Sequence, residues 1–165
     1  MTVRPFVPWP DKRLRTIAEP VGSVTDEIRT IWADMVDTME AMPGLGLAAP
    51  QIGVMLRLAV VDCSAERGNA VLLADPEIEE ASPELRAHDE ASPNLPGVHA
   101  RLERSAKVTV SFIDPLGERV RRAFEGVWAT SVQHQIDHLD GIMYFDRLSR
   151  TKREMLLKKA RKIRG

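Results

Sequence analysis

Gln133-His134-Gln135-Ile136-Asp137-His138 is the stretch on which the reading of this chain turns. His134 and His138 are four residues apart, so on a helix both imidazoles leave the same face and can grip one metal ion. The helix is expected over Val127–Leu139, ended by Gly141. In metal hydrolases that carry His-Glu-x-x-His, the residue after the first histidine is the general base. Here that residue is Gln135, whose neutral amide can hydrogen-bond to a water but cannot take its proton. Two histidines at this spacing also occur as plain core or surface residues, so the spacing alone leaves both readings open.

Upstream of this helix, Lys107–Ile113 alternates Val108, Val110 and Phe112 with polar residues, the period of a half-buried strand. Asp114-Pro115-Leu116-Gly117 has turn chemistry, and Arg119–Phe124 is the expected return strand. Two β-prone runs, Val54–Asp62 and Ala70–Ala74, are joined through Gly68-Asn69. Residues 75–100 hold Pro76, Pro83, Pro93 and Pro96 and read as loop-rich with short extended pieces. Residues 1–24 read as irregular. Thr25 then caps a helix whose Ile28, Ile31, Trp32, Met35 and Met39 form one apolar stripe, stopped by Pro43-Gly44. Ser149 is placed to cap a last helix with Leu156, Ala160 and Ile163 on one side. The pattern is α+β, with the motif helix against antiparallel strands and a helix at each end.

At 165 residues the chain suits one domain. With 44% hydrophobic and 28% charged residues it is neither disordered nor collagen-like, and the single Cys63 permits no internal disulfide. No apolar run approaches the ~20 residues of a membrane span, and Met1–Asp11 has no signal-peptide core, so a cytoplasmic protein is expected. The net charge of −1 hides an asymmetry. From Arg147 onward there are nine Lys/Arg against Glu154 alone, a surplus of eight, which leaves −9 on residues 1–146. An anionic partner for the tail and a merely solvated helix face both account for this.

A second motif is Gly44-Leu45-Gly46-Leu47-Ala48-Ala49-Pro50-Gln51, where small residues let backbone approach a ligand and Gln51 offers an amide donor. It lacks the Gly-Lys-Ser/Thr ending of a phosphate loop. Together, and in this order, Gly44–Gln51 and His134–His138 resemble the Gly-x-Gly-x-Ala-Ala-x-Gln and His-Glu-x-x-His motifs of the peptide deformylase family. The likeness includes Asp11–Arg15, Glu125-Gly126 and His138–Gly141 through Asp146–Ser149, and covers about residues 5–165. It implies a single deformylase-like α+β domain and metal-assisted hydrolysis of the formyl group from N-formyl-methionyl peptides. Zinc or ferrous iron would be held by His134, His138 and a cysteine, with Gln51 holding the oxyanion.

Three positions depart from that pattern. The family's Glu-Gly-Cys-Leu-Ser-x-Pro falls on Glu90-Ala91-Ser92-Pro93-Asn94-Leu95-Pro96, which puts Ser92 at the place of the metal-binding cysteine. A hydroxyl is a weak, neutral ligand where a thiolate is soft and charged. Pro93 stands where a leucine N–H joins Gln51 at the oxyanion, and proline has no N–H. Gln135 stands at the base position. The expectation is a deformylase fold with weakened metal affinity and impaired or lost hydrolysis, its substrate region marked by Gly46, Pro93 and Leu95. The alternatives are an active enzyme whose metal site is rescued by His88, Asp89 or Glu90, or a module that binds formylated N-termini or the ribosome. By the same resemblance Asp137 would support a histidine ring. His99 sits where the family carries a basic residue, although an exposed loop histidine accounts for it as well. The basic segment 147–165 is compatible with docking on ribosomal RNA, and no aromatic follows Phe145 to add base stacking.

Overall fold

The computed structural model describes residues 2–164. Helix α1 (Asp26–Ala41) begins as expected, with the Thr25 hydroxyl accepting from the Ile28 N–H at 3.3 Å. Seven strands follow: β1 (Gly46–Ala48), β2 (Leu58–Val61), β3 (Val71–Ala81), β4 (Leu85–Ser92), β5 (Leu95–Ser105), β6 (Lys107–Ile113) and β7 (Arg119–Glu125). Helix α2 (Val127–Leu139) and helix α3 (Arg150–Arg164) complete the chain, with 3-10 turns at Lys12–Arg15, Ala49–Ile52 and Tyr144–Arg147.

Strands β1-β2-β3-β6-β7 form an antiparallel sheet in that order, and β4-β5 form a separate two-stranded one. Strand β2 is buried along its whole length because both faces are covered. Leu58 and Val60 pack with the α1 stripe, whereas Ala59 and Val61 pack with Ala129, Val132 and Ile136 of α2. A third cluster joins Leu95, Val98 and Leu102 of β5 to Tyr144, Phe145 and to Leu156 and Ala160 of α3. Helix α2 is thereby held between the large sheet and the β4-β5 arm.

Residues 75–100 are a correction to the sequence reading: most of them are paired strand. Pro76 sits where the β3–β6 register slips between Ala74 and Glu77, and Pro83 lies in the turn before β4. Pro93 is in the turn between β4 and β5, and Pro96 sits in a two-stranded sheet, where every strand is an edge. Two of the four prolines therefore mark the turns between strands and the other two a bulge and an edge, so proline content did not mean absence of strand. At the other end, the Ser149 hydroxyl accepts from the Lys152 N–H at 3.3 Å, as its cap position predicts. Leu156 and Ala160 are buried, and Ile163 lies over Gly97, where an added Cβ would meet its side chain at 3.1 Å.

Candidate active site

Helix α2 presents His134, Gln135 and His138 with all three side chains buried. The two imidazole Nε2 atoms face each other at 3.2 Å, so the helical spacing does bring both rings to one point. Gln135 lies against β1. A Cβ added to Gly46 would stand 2.6 Å from Gln135 Nε2 and 2.6 Å from Ser131 Oγ, which is why the second glycine of the first motif is needed. Gly46→Ala should cost about 2 kcal/mol through overpacking, read as a lower unfolding free energy in urea.

Beside this helix lies an open cavity of about 400 Å³, with Gln51, Ser92, His134 and Gln135 at its polar end and Met42, Leu45, Val98 and Val127 among its apolar walls. Gly46 and Pro93 also line it. Leu95 does not: it is buried in the third core cluster, because the strand alternation turns it inward behind Ser92. His88 lines the cavity, while His99 is exposed on β5, a strand and not a loop.

The residue that orients a histidine is another correction. Glu90, not Asp137, does so: Glu90 Oε1 accepts from His134 Nδ1 at 2.7 Å. Both Glu90 oxygens also accept from Arg104, at 2.6 and 2.8 Å. Asp137 instead accepts from Arg104 at 2.9 Å and from Arg147 at 2.6 Å on each oxygen. Burial by itself would push the Glu90 carboxyl up, but the His134 and Arg104 hydrogen bonds outweigh it and hold the pKa at about 2. An ionised Glu90 fixes the His134 proton on Nδ1. His134 Nε2 is then turned toward His138 Nε2, and His138 Nδ1 is buried with no partner among the described residues. Burial, with His134 and Arg104 nearby, keeps His138 neutral by driving its pKa well below the usual imidazole value.

Arg104 and Asn94 were not picked out from sequence. The alternation along β5, with Leu102 and Arg104 both buried, is the signal that places Arg104 on the inner face. Asn94 gives no such signal; besides Ser92, its partners Val7 and Gln51 lie far away in the chain.

The polypeptide deformylase family pattern matches residues 3–154 of this sequence. The chain belongs to the peptide deformylase family. A protein of Bradyrhizobium diazoefficiens named "Peptide deformylase-like" is 45% identical over 163 residues, covering 99% of this chain and 95% of the relative. The "Peptide deformylase" of Methylocella silvestris is 41% identical, covering 98% of this chain and 85% of the relative. Among solved structures, the peptide deformylase of Legionella pneumophila superposes with a TM-score of 0.91 at 37% identity, covering 99% of this chain and 96% of that one. That of Ehrlichia chaffeensis in complex with actinonin gives 0.91 at 33% identity, with 98% of each chain covered. The α+β fold inferred from the motif order is the fold observed.

Peptide deformylases are metal-dependent, and the side chains at this deformylase-like site do not fit the three-ligand pattern of a catalytic zinc or iron centre. His134 and His138 converge, but the third position is the Ser92 hydroxyl, which donates to Asn94 Oδ1 at 3.0 Å. Binding a metal through His138 Nε2 would require the ring proton on Nδ1, where no described residue accepts it. Glu90, the buried carboxylate nearest the site, has both oxygens committed, and Asp89 is an exposed partner of Arg101 at 3.8 Å. Among the described residues no group of three His, Cys, Asp or Glu could hold an ion. Cys63 does not substitute; it lies outside the cavity lining, and burial pushes its thiol pKa up to about 11.

Proposed function

We propose that this deformylase-family chain binds N-formyl-methionyl peptide ends and hydrolyses them slowly or not at all. The observation that carries the reading is a division within one cavity. Its apolar walls, Gln51 and His134 are kept, with His138 buried at 3.2 Å from His134 between Nε2 atoms, while the positions for ligand charge, proton acceptor and backbone donor hold Ser92, Gln135 and Pro93. A methionine side chain is suited to the apolar walls, and the Gln51 amide can donate to the formyl oxygen. Gln135 cannot accept a proton from water. Losing one oxyanion donor costs roughly 10²–10³ in rate and losing a general base roughly 10²–10⁴, with effects that do not simply add. Formate release measured beside direct binding of an N-formyl-Met peptide tests this. Saturable binding without turnover is expected. Brisk formate release, abolished by His134→Ala, would overturn the reading in favour of a rescued enzyme.

A second reading concerns α3, and a specific observation favours it. Lys158, Lys159, Arg161 and Lys162 are all exposed and carry no ion pair among the described residues, which suits an RNA backbone such as that of the ribosome. Because Leu156 and Ala160 are core residues, deleting the helix would disturb the fold. Charge reversal is the cleaner test. Lys158→Glu, Lys159→Glu and Lys162→Glu together should weaken ribosome co-sedimentation and lower the slope of log affinity against log salt by about 2–3. An unchanged slope rules the surface out.

A further inference from the structure

Strand β4 turns alternate side chains toward α2, and its inner positions make a ladder across to that helix. The Arg86 guanidinium donates to the Thr130 hydroxyl at 3.1 Å, and Glu90 accepts from His134 Nδ1 at 2.7 Å. His88 is the position between them. From Arg86 to Glu90 the strand rises about 13 Å, whereas α2 rises only about 6 Å from Thr130 to His134. The two outer side chains converge on the helix, and the middle one has no helix partner left to meet. His88 lines the cavity instead.

Neither nitrogen of the His88 ring has a hydrogen-bond partner among the described residues. Nδ1 is buried, whereas Nε2 is not. A proton on Nδ1 would be orphaned, so it is better placed on Nε2, where a ligand can accept it. The charges nearby leave that donor unanswered. Glu90 has both oxygens bonded by Arg104 and His134, and Asp89 is exposed and faces Arg101 at 3.8 Å. Arg86, two residues away on the same face, makes no ion pair among the described residues. His88 also stands four residues before Ser92, away from the Gln51 end where the formyl oxygen is received. A peptide bound as proposed above meets His88 with its side chain, not with its formamide.

We infer that His88 is a specificity residue, which donates to an acceptor oxygen at the end of a methionine-length side chain of the ligand. The inference rests on the formyl-peptide reading above and names the side chain that the cavity favours. A thioether sulfur is a weak acceptor and leaves the Nε2 proton unmet. A sulfoxide, carboxamide or carboxylate oxygen meets it.

The test uses the full chain and five N-formyl tripeptides that differ only in the first side chain: norleucine, methionine, methionine sulfoxide, glutamine and glutamate. Unformylated norleucine and glutamine peptides complete the set. The oxygen-ended side chains should bind about fivefold tighter than norleucine, the size of one hydrogen bond. Glutamate ahead of the other two would name an anionic side chain, and the reverse order a neutral one. His88→Leu should bring all five formylated peptides to within about twofold of one another, and His88→Gln, which keeps a donor, should restore part of the difference. In the wild type the His88 Nε2–H resonance should move with the glutamine peptide and not with norleucine. Norleucine bound as tightly as the oxygen-ended side chains, or a preference that survives in folded His88→Leu, would overturn the inference and leave the formyl-peptide reading standing. A His88-dependent preference for glutamine that is equally large without the formyl group, at equal affinity, would support the role of His88 and overturn the formyl-peptide reading. Binding of none of the peptides would overturn both.

Discussion

Converting Ser92→Cys, Pro93→Leu and Gln135→Glu in one chain should raise formate release from an N-formyl-Met peptide by about 10³-fold or more and bring stoichiometric uptake of zinc or iron. The three changes act on different parts of one reaction. Cysteine restores a charged ligand beside the convergent Nε2 atoms of His134 and His138, which stand 3.2 Å apart. Leucine restores a backbone N–H in the turn after β4, at a position that lines the same cavity as Gln51. Glutamate places a proton acceptor where Gln135 now has a buried Oε1 with no partner among the described residues. The sites touch one cavity, so their effects should be far from additive: Gln135→Glu alone adds a base but no water activated for it. The measurement is formate release together with metal content on dialysed protein. A triple variant that keeps the wild-type melting behaviour, loads metal and still releases no formate would show that the cavity itself no longer admits the substrate.

Arg104→Met should cost about 3–5 kcal/mol of unfolding free energy, the range for breaking a buried ion pair by removing one partner. Arg104 is 5% exposed and bonds both Glu90 oxygens and one of Asp137, so its loss leaves two buried carboxylates short of their cation. Arg147 still holds Asp137 from the solvent side, whereas Glu90 would keep only His134. The same cluster makes the fold sensitive to acid. The Glu90 carboxyl is held at about 2 against 4.5 in an ordinary glutamate, so the unfolded chain binds the extra proton. The sign is that of a depressed group: full stabilisation above pH ~4.5, lost progressively as the pH falls toward ~2. The shift is worth about 3 kcal/mol. Urea titrations from pH 7 to pH 3 should show this loss in the wild type, and Glu90→Gln should flatten it while lowering stability at pH 7. An acid limb of equal steepness in Glu90→Gln would assign the sensitivity to other carboxylates.

Neither result depends on the metal alone, and together they separate the two things this cavity region does. The Glu90–Arg104–Asp137–Arg147 cluster fixes α2 against the β4-β5 arm and sets the tautomer of His134. The Ser92, Pro93 and Gln135 positions decide whether the cavity so formed can move a proton from water.

Some of this was legible in the residues themselves, and particular elements show why. Helix α1 runs between a Thr25 cap and Pro43-Gly44, strand β6 follows the alternation of Val108, Val110 and Phe112, and α2 spans Val127–Leu139, each as read. Caps, turns and periodicity are properties of neighbours within a few residues, so a short window contains all the physics that selects them. The convergence of His134 and His138 belongs with these, since one helical turn is enough to produce it. What only the tertiary structure decided involves partners some forty residues apart: Glu90 rather than Asp137 behind His134, Leu95 in the core rather than at the cavity wall, and Asn94 beneath Gln51. Those outcomes follow from the register of β4 on β5, with its shift between Glu90 and Ser92. A shift of one residue turns every following side chain to the opposite face, and it is set by packing against α2 and α3, which no local stretch of sequence records.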